Sequence, residues 1–272
     1  MPLMDYVRAL EGKDNRSRAQ QVLAILGGLG IEPACQECRF PRISNIIVDL
    51  PPGPGVKRVL FSAHYDAVPG SPGANDNASG VAVLLGLCHE QRHGDTPVRV
   101  IFFDREEPWL RTPVLCLGLL GSLYYTWKSD LRDVAAIYNL EFCGLGDFLG
   151  VWPVRTGEVN LPALRGVERA AARLGLPLGA VHIPWFFFTS DHLPFRLRGL
   201  SNALTLSLLP AHQVPALGRL LTGLCICKLL AGRQSALPEP LSFIHTREDT
   251  STRLNEGSLR LMQSLLLELL QR

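Results

Sequence analysis

Apolar and polar positions change period several times along the chain, and each change marks an element. From Arg16 to Leu29, Ala19, Val22, Leu23, Ile25, Leu26 and Leu29 recur at helical spacing, and Gly30 supplies a usual helix stop. Two strand-like runs follow, Asn45 to Leu50 and Lys57 to Ala63, joined by a Pro/Gly turn. The pattern then alternates: helix over Ala78 to Gln91, strand over Val98 to Phe103, helix over Leu119 to Lys128, strand over Val134 to Leu140. Beyond it the spacing predicts a strand over Phe148 to Trp152, a helix over Ala163 to Leu174 and a strand over Ala180 to Ile183. A short helix over Asp191 to Arg198 and a strand over Ala203 to Leu209 come next. Helices over Leu217 to Ala231 and Glu256 to Leu270 close the chain. Such alternation predicts an α/β protein with a mixed, mainly parallel sheet covered on both faces. No internal repeat or long linker interrupts it, so residues 1–272 read as a single domain.

Composition narrows the classes. Apolar residues make up 47% of the chain and charged ones 19%, the balance of a globular protein with a full core. A net charge of +2 without a basic run argues against a nucleic-acid partner. No charge-free apolar stretch reaches about 18 residues, which argues against a membrane partner. Leu217 to Leu230 is the richest candidate, but it carries Arg219 and Lys228 and reads as a buried helix. The N-terminus lacks the basic start and apolar core of a secretory signal, so a cytoplasmic location is the default; a trimmed secreted chain would look the same. Of seven cysteines, Cys88, Cys116, Cys143, Cys225 and Cys227 lie in apolar runs and read as buried free thiols. Cys35 and Cys38 form a lone CxxC with no second pair, which makes a structural zinc there improbable.

The chemistry-bearing residues collect at strand ends, where open α/β sheets bind ligands. His64 and Asp66 follow one strand; Asp104, Glu106 and Glu107 follow another; Glu141 follows a third. Asp76 stands at a helix start, and His245 follows the apolar piece Leu241 to Ile244. Each has an ordinary reading as a helix cap or a hydrogen-bonding residue. Their shared edge favours a metal centre. Imidazole and carboxylate together suit zinc and related divalent ions, and so many clustered carboxylates would repel one another without cations.

These residues lie in motifs that resemble the M28 family of zinc metallopeptidases: HYD, GANDNASG, DREE, NLE, SDHLPF and IHTREDT, in that order, spanning about residues 16 to 270. The resemblance implies a three-layer α/β/α sandwich of the zinc-dependent exopeptidase type and an aminopeptidase acting on peptides with a free N-terminus. It implies Asp76 as a bridge between two zinc ions, His64 and Glu141 completing one shell, and Glu107 and His245 the other. Asp66 would hold the ring of His64 from behind, and Glu106 would be the general base that moves a proton from water to the leaving amine. It also places a cis peptide at Asp76-Asn77. His192 reads as structural, Tyr65 is a candidate oxyanion stabiliser, and Trp185 to Phe188 form either a specificity pocket or a buried strand edge.

Three departures stand out. Glu141 replaces the more usual Asp, Arg105 replaces a Gly, and Pro108 to Pro113 lengthen the link from Glu107 to Gly121. That loop opens an alternative. Glutaminyl cyclases share the fold, have a Trp-containing loop there, and bind one zinc through positions matching Asp76, Glu107 and His245. Against this, Ile244 stands where cyclases have Trp. A non-catalytic binding domain of the same fold is a third reading, disfavoured by competent residue types at every ligand position.

Overall fold

The computed structural model describes residues 2–50, 57–108, 110–111, 116–154, 158, 161–180, 190–216 and 237–271. The strands are β1 (Ala34–Cys38), β2 (Ile43–Leu50), β3 (Arg58–His64), β4 (Val98–Phe103), β5 (Leu110–Arg111), β6 (Cys116–Leu117), β7 (Val134–Leu140), β8 (Phe148–Trp152), β9 (Leu178–Ala180) and β10 (Ala203–Leu209). The helices are α1 (Leu3–Leu10), α2 (Asn15–Gly28), α3 (Ser79–Gln91), α4 (Leu120–Lys128), α5 (Pro162–Arg173), α6 (His192–Leu197) and α7 (Glu256–Leu270).

Eight strands form one sheet in the order β1-β2-β4-β3-β7-β10-β8-β9. The central four, β4-β3-β7-β10, are parallel, while β1-β2, β2-β4 and β10-β8 pair antiparallel. Central strands of this kind must be apolar on both faces, and all seven residues of β10 are buried. One face packs against a large core fed by α1, α2, α3, α5 and α7. The other carries a smaller core in which Tyr125 of α4 and Phe195 of α6 meet Leu60, Ile101, Phe103 and Ile137. The sandwich and its mixed sheet agree with the expectation. Among the described residues, no helix is long and apolar enough to cross a membrane.

Several details differ from the sequence reading. The runs Asn45–Leu50 and Lys57–Ala63 are strands as read, but although a turn joins them in sequence they are not neighbours: β4 lies between β2 and β3 in the sheet. Periodicity finds strands but not their partners. Leu241 to Ile244 lie in turns rather than in a strand. Helix α1 and strand β1 went unread, since α1 is short and β1 (Ala-Cys-Gln-Glu-Cys) is a polar edge strand. Cys35 and Cys38 sit on β1, where a spacing of three sends side chains to opposite faces, so they do not form a metal clamp. Cys88 and Cys143 are buried and free, as expected. The predicted helix Leu217 to Ala231, with Cys225 and Cys227, and the aromatic run Trp185 to Phe188 lie outside the described residues, as do Ile183 and the side chain of Cys116.

Candidate metal centre

Sheet register decides which side chains meet. His64 of β3 pairs with Phe103 of β4, and Ser62 with Asn139 of β7, so three parallel strands end together. The chain leaving them delivers His64, then Glu106 and Glu107, then Glu141 to one edge. Between β3 and α3 a loop leads to Asp76, whose peptide bond to Asn77 is cis. Asn77 fixes this turn: its Nδ2 donates to Leu140 O at 2.7 Å, and its Oδ1 accepts from Gly80 N at 3.1 Å. His245 arrives on a turn with φ 60°, a left-handed conformation uncommon outside glycine.

Asp76 faces both histidines. Its Oδ1 lies 3.2 Å from His64 Nε2 and its Oδ2 lies 2.9 Å from His245 Nε2. Glu141 Oε2 is 3.4 Å from His64 Nε2, and Glu107 Oε1 is 3.2 Å from His245 Nε2. Among the described residues three donor groups result: His64–Asp76–Glu141 and Asp76–Glu107–His245, which share Asp76, and His64–Glu106–Glu107. Glu106 stands beside them, with Oε2 3.9 Å from His64 Nε2. All five expected ligands and the expected base therefore converge.

The donors suit a divalent cation. They are nitrogen and carboxylate oxygen, and Glu107 Oε1 is buried without accepting a hydrogen bond, an orphaned acceptor of the kind a cation satisfies. Crowding of carboxylates shows in their proton affinity. Burial, and then the charges of Glu107 and Glu141, push Glu106 well above the usual carboxylate range against the pull of His64. Burial and Asp76 push Glu107 up to about 7. Burial alone would lower both histidines; Glu141 and Glu106 instead raise His64 well above normal, and Asp76 with Glu107 raises His245 to about 10.

Supporting residues set these ligands. Asp66 stands behind the ring of His64, its carboxylate Oδ1 3.4 Å and its main-chain oxygen 3.2 Å from His64 Nδ1, and its carboxylate also accepts from Glu106 N at 3.1 Å and Glu107 N at 3.0 Å. Glu141 Oε1 accepts from Ser190 Oγ at 2.6 Å, and Asn139 Nδ2 donates to Ser190 Oγ at 2.7 Å. Asp249 accepts from Asn75 N at 2.7 Å and Asp76 N at 3.1 Å. Tyr65 gives its hydroxyl to Ser44 O at 2.9 Å, away from an oxyanion role. Asp104 accepts from Ser44 N, a structural contact. His192 is buried against Trp152 with Nδ1 2.7 Å from Thr205 Oγ1, a structural place as read. Asp191 was overlooked: both its buried oxygens accept no hydrogen bond, and burial pushes it up to about 7.

Arg18, Ser190 and Asp249 also escaped sequence reading. Arg18 had a visible signal, since it falls on the buried stripe Arg18, Val22, Leu26 of α2, where an apolar residue belongs. Arg105 has φ 54°, which explains why glycine suits its position.

Comparison with known proteins gives the family and the fold. The family model described as Peptidase family M28 matches residues 45–270. Aminopeptidase YwaD of Bacillus subtilis is 31% identical over 158 residues, 53% of this chain and 31% of that protein. The solved structure of BSAP, a zinc aminopeptidase from Bacillus subtilis, superposes with a TM-score of 0.61 at 25% identity, over 83% of this chain and 49% of that one. Glutaminyl cyclase from Porphyromonas gingivalis superposes with a TM-score of 0.73 at 18% identity, over 99% of this chain and 96% of that one, a likeness of fold. This chain thus spans less than a third of YwaD and about half of BSAP.

Proposed function

The chain belongs to Peptidase family M28, and on that premise we propose that it is a zinc-dependent aminopeptidase that removes N-terminal residues from peptides at a two-metal centre. The observation that carries this reading is the division of Asp76, one oxygen 3.2 Å from His64 Nε2 and the other 2.9 Å from His245 Nε2. Each oxygen of Asp76 thus faces a different donor group. His64, Asp76 and Glu141 would hold one zinc, and Asp76, Glu107 and His245 the other.

Bound zinc supplies Lewis-acid polarisation of the scissile carbonyl and acidifies water. The protein's own part is proton transfer and placement. Glu106 takes a proton from the attacking water and returns it to the departing amine. Asp66 fixes that carboxylate's backbone, and the same contact fixes Glu107.

The test is metal content of the purified protein beside two assays, amine release from aminoacyl-nitroanilides and cyclisation of Gln-peptides. Two zinc ions per chain with amine release is the expected outcome. One zinc with cyclisation would instead support the cyclase reading, which uses the Asp76–Glu107–His245 group alone. Glu106→Gln should keep its zinc and lose on the order of 10²–10⁴ in turnover; full activity would remove Glu106 as the base.

A further inference from the structure

The metal-centre loops are held from behind by helices α1 and α2, which precede the residues matched to the family, 45–270. The contact centres on Arg18, whose side chain is fully buried. Its Nε donates to Lys13 O at 3.2 Å and its Nη1 to Tyr65 O at 3.2 Å. Its Nη2 donates to Pro72 O at 2.6 Å and Gly73 O at 3.0 Å. One rigid guanidinium therefore ties down both ends of the loop between His64 and Asp76. Gly73 makes room for it: a Cβ there would sit 2.6 Å from Arg18 Nη2. Asn15 and Gly12 add to the grip, Asn15 Oδ1 accepting from Ala67 N at 3.2 Å and Gly12 N donating to Pro72 O at 2.8 Å.

Burying a guanidinium strips it of water, a costly way to hold a loop unless charges offset it. Here Asp66, Asp249, Asp76 and Glu107 provide the offset, working against burial. Two of these are themselves clamps. Asp66 grips the amides of Glu106 and Glu107, and Asp249 grips those of Asn75 and Asp76. Arg18 is the cation common to both, and an apolar residue on the same helix stripe would give packing without this fixed charge.

We propose that Arg18 is a positioning residue of the metal centre, locking the Tyr65–Gly73 loop so that His64 and Asp76 meet the cation at a fixed spacing. The inference rests on the metal-centre reading above. It makes zinc affinity, and not only stability, depend on a helix outside the matched residues.

Calorimetric titration of zinc into the metal-stripped full chain tests it. Arg18→Lys keeps the charge and loses the fork, and should weaken zinc binding about tenfold; Arg18→Met loses both and should approach about a hundredfold. Val167→Ala, a core change in α5, serves as the control: it should lower Tm and leave zinc affinity unchanged. If Arg18→Lys and Arg18→Met lower Tm but bind zinc like wild type, Arg18 is only structural and the proposal is overturned. Should both fail to fold, Asn15→Ala carries the test. It removes one hydrogen bond to the same loop and should weaken zinc binding about threefold; unchanged affinity would again overturn the proposal. A wild-type chain that binds no zinc would sink the metal-centre reading itself.

Discussion

The two halves of the centre share Asp76 and differ in nearly everything else. On one side His64 and Glu141 are closed off, with side-chain exposures of 1% and 4%. Each is braced: Glu141 by Ser190, His64 by the main chain of Asp66. On the other side His245 is 28% exposed, sits on a turn at positive φ, and faces a Glu107 oxygen that accepts no hydrogen bond. The first half is built before a cation arrives; the second leaves an acceptor to be satisfied by one. Preorganised, buried ligands spend less on ordering when they bind, so the His64 half should hold its zinc more tightly.

The largest effect should come from removing what the halves share. Asp76→Ala should abolish zinc retention in both and cut turnover on the order of a thousandfold or more, read by metal analysis of the dialysed protein. Two zinc ions retained would break the assignment of Asp76 as bridge. Next come the histidines. His245→Ala should keep one zinc per chain and lose about a hundredfold in turnover, while His64→Ala should lose zinc from both halves on mild chelation. The reverse order would make the open half the tighter one and favour the single-zinc cyclase arrangement. Smaller again is Ser190→Ala. It frees Glu141 Oε1 and should weaken zinc binding about tenfold. An unchanged affinity would show that the closed half owes nothing to its bracing.

Ser190 also shows where sequence reading stops. His64, Glu107 and Glu141 could be placed beforehand because strands announce themselves by period and ligands follow strand ends. The sandwich could be read from the same alternation, as could Asp76 at a helix start. Ser190, Asn139 and Asp249 could not. Ser190 and Asn139 depend on β7 meeting β10 through a crossover that no local pattern encodes, and Asp249 on a return to the Asn75–Asp76 loop from far along the chain. The placing of β4 between β2 and β3, which are successive in the chain, is hidden from local pattern for the same reason. Glu141 looked anomalous as a sequence position, yet Ser190 at 2.6 Å accounts for its longer reach by holding one oxygen back. Arg18 was legible in principle, as a charge on an apolar stripe, but its target is 47 to 55 residues away.

The smallest effect is a pH dependence that separates the empty centre from the filled one. In the metal-free chain, burial and Asp76 raise Glu107 to about 7, and Asp76 with Glu107 raises His245 to about 10 although burial alone would lower it. A group raised in the folded state adds stability that is complete below its unfolded value and is lost as pH passes its folded value. The contribution of Glu107 should therefore fade between its ordinary 4.5 and about 7, and that of His245 between 6.5 and about 10. Both slopes have the same sign, so Tm of the metal-free protein should fall as pH rises across this range. Zinc requires unprotonated imidazoles and ionised carboxylates, so its binding should tighten over the same range and widen the Tm gap between loaded and stripped protein. His245→Gln should flatten the upper part of the metal-free curve, because the open half's titrating ring is gone. A metal-free Tm that stayed level from pH 5 to 10 would mean that the carboxylates do not hold protons on this half, and the contrast between a braced and an unsatisfied half would fail with it.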